Sequence, residues 1–445
     1  MAKIKDMAQV QETFLSNLNR ISSVSWVGHV RSIVGLLVEV VGITHCVRLG
    51  SMVRIWRDDH HHLLGEVVGF RQDVVLVMGY DFLDGIGPKA KVNVIEQDMH
   101  IYPCDAWRGR IVDGLARPVD NKGPLLQGTT PYFVKSKAPE AHQRARTTTP
   151  VDLGIKAMNT FTTCYRGQRM GIFSAAGVGK SILLGQITRF TDCDIIIVGL
   201  VGERGREVKE FIEDQLGDEG LAKAVVVVAT SDMPALLRRQ AAYITFTLAE
   251  YFRDQQLNVL CVVDSVTRFA LAQREIGLSV SEPPATRGFP PTVFSELPRL
   301  LERAGNTHHA GSITGIFSIL VEGDDHNEPI ADAVRSILDG HIVLDRSIAE
   351  RGRYPAINIL KSVSRARIKR SPEDEQCIEH VRRVLSTYEN MAEMIQLGAY
   401  QQGQSPDVDK AIADYPKIES FLSQDKDTAV SLEEGFAQLK AIVNP

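Results

Sequence analysis

At 445 residues the chain is too long for one ordinary hydrophobic core, so two or three domains are expected. Apolar residues make up 44% and charged residues 24%, a globular balance and not a disordered one. The net charge of −5 argues against a general nucleic-acid binder, which carries a basic excess. The six cysteines (Cys46, Cys104, Cys164, Cys193, Cys261, Cys377) lie far apart with no C-x-x-C pair, so reduced thiols are expected rather than disulfides or zinc ligands. No stretch is long and apolar enough to span a bilayer, and the N-terminus lacks the apolar core and cleavage site of a signal peptide. The expectation is a cytoplasmic protein, or one that works against a membrane from that side.

Ile4, Met7, Val10, Phe14, Leu18 and Ile21 recur three or four residues apart and predict an amphipathic helix over residues 1–24. Its few charges nearly cancel, which suits a partner protein's groove, or packing on its own domain, better than a membrane surface. Over 25–100, short β-branched runs at 36–41, 66–68, 73–78 and 91–94 are punctuated by glycine and predict a small β-barrel. His60-His61-His62 follows Asp58-Asp59 between two of these runs and reads as a solvated hairpin tip rather than a metal site.

From 101 to 370 the pattern becomes strand, loop, helix, repeated. Strands are expected at 169–173, 194–198, Ala224–Ala229, 259–263 and Ser312–Leu320, with helices between them, such as 207–215 and 233–252, the latter opened by Asp232. This alternation builds a parallel sheet covered by helices on both faces, with ligands at the carboxyl ends of the strands. Over 371–445 no strand pattern remains. Ile378, Val381, Leu385, Tyr388, Met391, Ala392 and Ile395 mark one helix, with Gly398 near its end. Ser431 with Glu434 reads as a capping box opening a last helix. The fold class is therefore α/β: an N-terminal β-barrel, a central parallel-sheet domain and a C-terminal helical domain.

The chemistry centres on Ser174-Ala175-Ala176-Gly177-Val178-Gly179-Lys180-Ser181-Ile182, between an apolar strand and an apolar helical run. This is the context of a phosphate-binding loop: small residues let backbone N–H groups surround phosphate, and the helix N-terminus faces the same charge. Lys180 reaches the terminal phosphates, and the Ser181 hydroxyl is a Mg²⁺ ligand. The strict pattern has Gly at 174, so Ser174 is a departure that removes backbone freedom there. Hydrolysis needs more. Asp264 ends an apolar strand and would hold Mg²⁺ through water. Glu203 and Glu207 follow another strand, Glu203 to polarise the attacking water and Glu207 to reach the Mg²⁺ shell. Arg204, Arg268 and Arg365 are candidate cations for the transition-state charge.

Further motifs accompany these: Gly109-Arg110-Ile111-Val112-Asp113 with Arg117-Pro118-Val119-Asp120; Val198-Gly199-Leu200-Val201-Gly202-Glu203-Arg204-Gly205-Arg206-Glu207; Gly288-Phe289-Pro290-Pro291-Thr292; Ser336-Ile337-Leu338-Asp339-Gly340-His341-Ile342; and Tyr354-Pro355-Ala356-Ile357-Asn358 with Ser362-Val363-Ser364-Arg365. On these the chain resembles, over nearly its whole length, the catalytic subunits of the rotary ATP synthase superfamily, and most closely the flagellar protein-export ATPases. The resemblance implies a RecA-like ATPase core and Mg²⁺-dependent ATP hydrolysis by a homohexameric ring that assists flagellar protein export. By the same resemblance Lys180, Glu203, Arg204 and Arg268 act in catalysis, and Tyr354 stacks on adenine. Arg365 is the arginine finger supplied to the neighbouring subunit's site. Implied partners are further copies of the chain, a regulator at the N-terminal helix, and the export gate, chaperones and export substrates, with no sequence-specific nucleic acid. The implied location is the cytoplasmic face of the inner membrane. At 425 and 426, where the family places an adenine-lining aromatic, this sequence has Asp425 and Lys426. Three other readings stand beside it: a virulence-type secretion ATPase with the same chemistry and other cargo, a hexameric RNA translocase, which would need a basic barrel with exposed aromatics, and a non-hydrolysing ring subunit, against which Glu203 speaks.

Overall fold

The run Val74–Gly79 is buried along its whole length, because it faces a barrel interior on one side and the central domain on the other. A computed structural model describes residues 25–96, 98–308, 311–321, 328–366 and 371–443; the helix expected over 1–24 lies outside the described residues. Six antiparallel strands, β1 (Val27–Val34), β2 (Leu37–Val41), β3 (Met52–Trp56), β4 (His62–Arg71), β5 (Val74–Gly79) and β6 (Lys91–Glu96), close into a barrel in the order β1-β2-β5-β4-β3-β6. Alternation sends Val38, Val40, Val53, Ile55, Val75 and Val77 inward and Leu37, Met52, Val74, Leu76 and Met78 outward onto the central domain. The histidine run lies at the β3–β4 turn, where Asp58 Oδ1 accepts from the backbone N–H groups of His60 and His61.

The central sheet comprises β7 (Ile111–Asp113), β8 (Arg169–Ser174), β9 (Ile195–Val201), β10 (Ala224–Ala229), β11 (Asn258–Asp264), β12 (Ser312–Leu320), β13 (Gly340–Leu344) and β14 (Ile357–Ser364), in the order β14-β13-β8-β12-β11-β9-β10-β7. All neighbours on this path are parallel except β14, which returns antiparallel beside β13, so the expected all-parallel sheet has an antiparallel edge. The principal helices are α1 (Lys156–Phe161), α2 (Lys180–Phe190), α3 (Gly205–Glu210), α4 (Ala235–Asp254), α5 (Val266–Ser279), α6 (Pro291–Leu301) and α7 (Pro329–Ile337), with short ones at Gly217–Ala222 and Arg346–Glu350. Two differ from their expected bounds. The Met233 N–H closes a turn onto the Thr230 carbonyl at 3.1 Å, and α4 begins only after Pro234 at its N-cap, so Asp232 is not the cap. The helix expected over 207–215 starts at Gly205 and widens into a π-type turn over Phe211–Leu216.

Three helices complete the chain: α8 (Pro372–Gln396), α9 (Pro406–Leu422) and α10 (Leu432–Val443). The capping box at α10 is reciprocal: Glu434 N–H donates to Ser431 Oγ at 3.2 Å, and Ser431 N–H donates to Glu434 Oε2 at 3.0 Å. Gly398, just past α8, has φ +67°, a left-handed C-terminal stop that glycine adopts without strain. Cys377, Ile378, Val381, Leu385, Ile418, Phe421 and Leu439 of this bundle share one core with Ile172, Leu183 and Ile187 around the phosphate-loop strand and helix.

Barrel and central domain are also joined by buried charge. Glu66 of β4 accepts from Arg239 Nη2 of α4 at 2.6 Å, Tyr80 Oη at 2.7 Å and Lys135 Nζ at 2.7 Å. Glu66 and Arg239 are buried. Burial alone would raise the Glu66 pKa, but the charges of Arg239 and Lys135 outweigh it and hold the carboxyl down at about 2. All six cysteines are free. Among the described residues no helix is long and apolar enough to cross a membrane.

Candidate active site

β8 delivers the chain to a loop that turns through Gly177 at φ +80° and Gly179 at φ +94°. Both angles lie in the left-handed region where a Cβ is strained. Ser174, Ala175 and Ala176 all keep negative φ, so the departure from the Gly-rich pattern costs no backbone strain. Gly179 is the N-cap of α2, and no side chain caps it. The first N–H groups of α2 are thus left without a side-chain partner, beside the exposed Ala176, Gly177, Ser181 and Ile182. Val178 is buried and anchors the loop.

β11 and β9 bring the carboxylates. Leu200 and Asp264 are register partners on adjacent parallel strands, so Gly202, Glu203 and Asp264 emerge at the same carboxyl end as the phosphate loop. The Lys180 ammonium donates to Asp264 Oδ1 and lies 3.5 Å from Glu203 Oε1, an ion-pair contact longer than a good hydrogen bond. The Glu203 main chain is held by Ser231, whose N–H donates to its carbonyl at 3.0 Å. Burial, then the charge of Asp264, push the Glu203 carboxyl up to about 7, against the downward pull of Lys180. The balance leaves a carboxylate poised to take a proton near neutral pH.

Arg268 of α5 also belongs here. A Cβ at Gly202 would come within 2.8 Å of Arg268 Cβ, so the bare glycine lets the arginine stem pass, and the Arg268 charge is felt at Glu203. Glu203 Oε1, Arg268 Nε and Ser174 Oγ are all buried without a hydrogen-bond partner. Such orphaned polar groups gather where a ligand completes the bonding. Glu207, on the first turn of α3, lies close enough to Glu203 to help raise its pKa. Arg204 is exposed, and its Nη1 lies 3.4 Å from Glu207 Oε1, so the fold does not turn it toward Lys180.

Tyr354 stands over the loop: a methyl at Gly179 would lie 3.4 Å from its Cε1. Tyr354 is 45% exposed, and its carbonyl accepts from Gln424 N–H at 2.9 Å. The helical domain brings Gln424, Asp425 and Lys426 to this side. Gln186 Nε2 and Arg189 Nη2 of α2 donate to the carbonyls of Asp425 at 3.3 Å and Lys426 at 2.8 Å. Phe421 is buried edge-to-face against Phe161, which makes it core. Arg365 is not brought to this cluster. It follows β14 at the opposite end of the sheet, where its N–H donates to the Asp339 carbonyl. Ser318 was not singled out from sequence. Its Oγ donates to Asp264 Oδ1 from inside β12, and the available signal is one hydroxyl in the otherwise apolar run Ile316-Phe317-Ser318-Ile319-Leu320.

A phosphate loop, an Asp-terminated strand and a poised glutamate on one sheet describe a nucleotide hydrolase, and known proteins match the chain over nearly its whole length. Residues 154–364 match the ATP synthase alpha/beta family nucleotide-binding domain, and 30–94 match its beta-barrel domain. Residues 370–441 match the T3SS EscN ATPase C-terminal domain. A flagellum-specific ATP synthase of Caulobacter vibrioides is 51% identical over 438 residues, 97% of this chain and 99% of that protein. The chain belongs to the flagellum-specific ATP synthase family. Among other members, that of Bacillus subtilis is 43% identical over 93% of this chain and 94% of its own length. A type 3 secretion system ATPase of Xanthomonas euvesicatoria is 43% identical over 94% of each chain. The assembled ATPase EscN of the enteropathogenic E. coli type III secretion system superposes with a TM-score of 0.87 at 39% identity, over 94% of this chain and all of that one. EscN has also been solved in complex with its central stalk EscO. Members of the flagellum-specific ATP synthase family are ATPases of type III protein export, and ATP hydrolysis is this chain's activity.

Proposed function

We propose that the chain splits ATP with Mg²⁺ at seams between identical subunits of a homohexameric ring, and that this ring assists export of flagellar proteins. The observation that carries the reading is the separation of Arg365 from Lys180. They flank opposite ends of β8, a strand of 6 residues, which spans roughly 17 Å at about 3.3 Å per residue. An arginine so placed does not serve its own phosphate loop and is exposed for a neighbour's. Head-to-tail contact of this kind closes into rings.

In this reading the loop N–H groups and Lys180 hold the phosphates, with Tyr354 against the base. Glu203 accepts the proton of the attacking water as oxygen bonds to the γ-phosphorus. The bond to the β–γ bridging oxygen breaks, and ADP leaves. Arg268 from the same chain and Arg365 from the next neutralise charge on the transferred group, and Arg204, on the exposed turn after Glu203, faces the seam. The donor set fits Mg²⁺: the exposed Ser181 hydroxyl and the Asp264 and Glu207 carboxylates are hard oxygens. Among the described residues no cluster of His, Cys, Asp and Glu forms an all-protein cage, which is usual where nucleotide phosphates complete the coordination. When bound, Mg²⁺ supplies charge neutralisation at the β- and γ-oxygens.

The proposal places the ring peripherally at the cytoplasmic face of the inner membrane. A regulator contacts residues 1–24, and the export gate, chaperones and substrates are the other partners. The 51% identity to a flagellum-specific relative favours flagellar cargo over virulence cargo. The test is specific ATPase activity against protein concentration. Assembly of a shared site makes activity per subunit rise with concentration; a flat profile would refute the shared site. Restored motility in a strain lacking its flagellar export ATPase separates flagellar from virulence cargo.

A further inference from the structure

Asp264 Oδ1 accepts two side-chain donors, Lys180 Nζ and Ser318 Oγ, and its other oxygen has no side-chain donor among the described residues. The two donors differ in what becomes of them. Lys180 opens α2 at the mouth of the phosphate loop, and a nucleotide's terminal phosphates compete for it. Ser318 cannot leave. It is fully buried, two residues before the end of β12, the strand between the phosphate-loop strand and the aspartate strand. Its register partner is Ile172 on β8, and its neighbour Phe317 pairs with Val263 on β11.

A hydroxyl at such a core position costs burial free energy unless it is bonded, and among the described residues its hydrogen-bond partner is Asp264. We infer that Ser318 is a positioning residue, the donor that keeps the Asp264 carboxylate bonded and oriented once nucleotide has drawn Lys180 away. This inference rests on the nucleotide reading of the loop and not on the shared seam. A carboxylate torsion is broad and roughly two-fold. Pinning Oδ1 from β12 holds Oδ2 toward the site through the change of Lys180 partner. In the nucleotide-free protein Lys180 covers the loss of the hydroxyl. In the nucleotide-bound protein no other side chain does, and the buried Oδ1 is left without a side-chain donor. The cost of removing the hydroxyl therefore falls on the bound state.

The experiment uses the full chain with Ser318→Ala, Ser318→Thr and Lys180→Ala. It measures ATP and ADP affinity, with and without Mg²⁺, and the melting temperature with and without nucleotide. Ser318→Ala is expected to melt close to the parent when free. It should bind both nucleotides about tenfold more weakly, in chelator as well as in Mg²⁺, with a smaller nucleotide-induced rise in melting temperature. Ser318→Thr, which keeps the hydroxyl, should restore the affinity. A Ser318→Ala protein that melts lower when free but binds nucleotide normally would make Ser318 a core residue only and overturn the inference. Loss of affinity in both variants would overturn it too, since shape and not the hydrogen bond would then matter. Lys180→Ala separates the layers: normal binding there defeats the nucleotide reading itself, whereas lost binding there beside normal binding in Ser318→Ala defeats only the role of Ser318.

Discussion

The backbone N–H of Arg365 donates to the carbonyl oxygen of Asp339 at 2.8 Å. Asp339 also receives the N–H of Arg169 at 3.0 Å and its Nε at 3.0 Å, both on Oδ2. Arg169 is the first residue of β8, and Lys180 follows the last by one short loop. Arg365 is therefore pinned to the start of the strand whose far end runs into the loop bearing Lys180, and the sheet itself keeps the two apart.

Arg365→Ala should leave nucleotide binding by its own subunit near the parent value while lowering kcat by about 10³-fold or more, the scale of a lost arginine finger. Mixing Arg365→Ala with Glu203→Gln should recover part of the activity, because some seams then pair an intact glutamate with an intact arginine. Steady-state phosphate release from the mixture checks this, and additive residual rates would count against the shared site.

The acid limb of kcat/KM should fall near pH 7, since the free protein's Glu203 titrates at about 7 and acts only when ionised. Activity therefore rises as pH increases through that value. Asp264→Asn removes one of the causes of the shift, the neighbouring negative charge, and should move the limb to lower pH in whatever activity remains. A pH–rate profile of both proteins decides it.

Glu66→Gln should destabilise the protein by about 3–5 kcal/mol at pH 7, because Arg239 stays buried with its partner charge gone. The folded-state pKa of Glu66 is about 2 against an ordinary 4.5. Its contribution is therefore complete above about pH 4.5 and drains away as pH falls toward 2. Parent and variant should converge over that window in denaturant unfolding followed by circular dichroism. A constant gap would mean that the carboxylate charge is not what joins barrel to core.

Gly202→Ala should lower kcat more than it raises the nucleotide KM. A Cβ there meets the Arg268 stem at 2.8 Å on a backbone already at φ +71°, which displaces Arg268 and Glu203 but leaves the phosphate loop intact. Steady-state kinetics beside nucleotide affinity check the split.

Much of the site was legible in the chain because its chemistry is local. A phosphate loop is contiguous, so Gly177 to Ser181 announce themselves. An aspartate ending an apolar strand and a glutamate after another are visible as patterns, and alternation then implies a sheet that gathers strand ends. The capping box of α10 was readable for the same reason: both partners lie within one turn. The barrel strands β1 and β3 were less so, since β1 interleaves His29 and Arg31 with its valines. The helix α9 opens at Pro406 and carries Pro416 inside, which blurs its period.

The amino-acid order by itself determined the class of fold, the phosphate loop and the candidate carboxylates and arginines, because each depends on neighbours in the chain. Only the tertiary structure decided that Ser318 reaches Asp264, that Glu66 meets Arg239, that Gly202 makes room for Arg268, and that Arg365 stands a strand's length from Lys180. Those relationships join residues tens to hundreds of positions apart. Strand order and register set them, and no local pattern encodes which strand lies beside which.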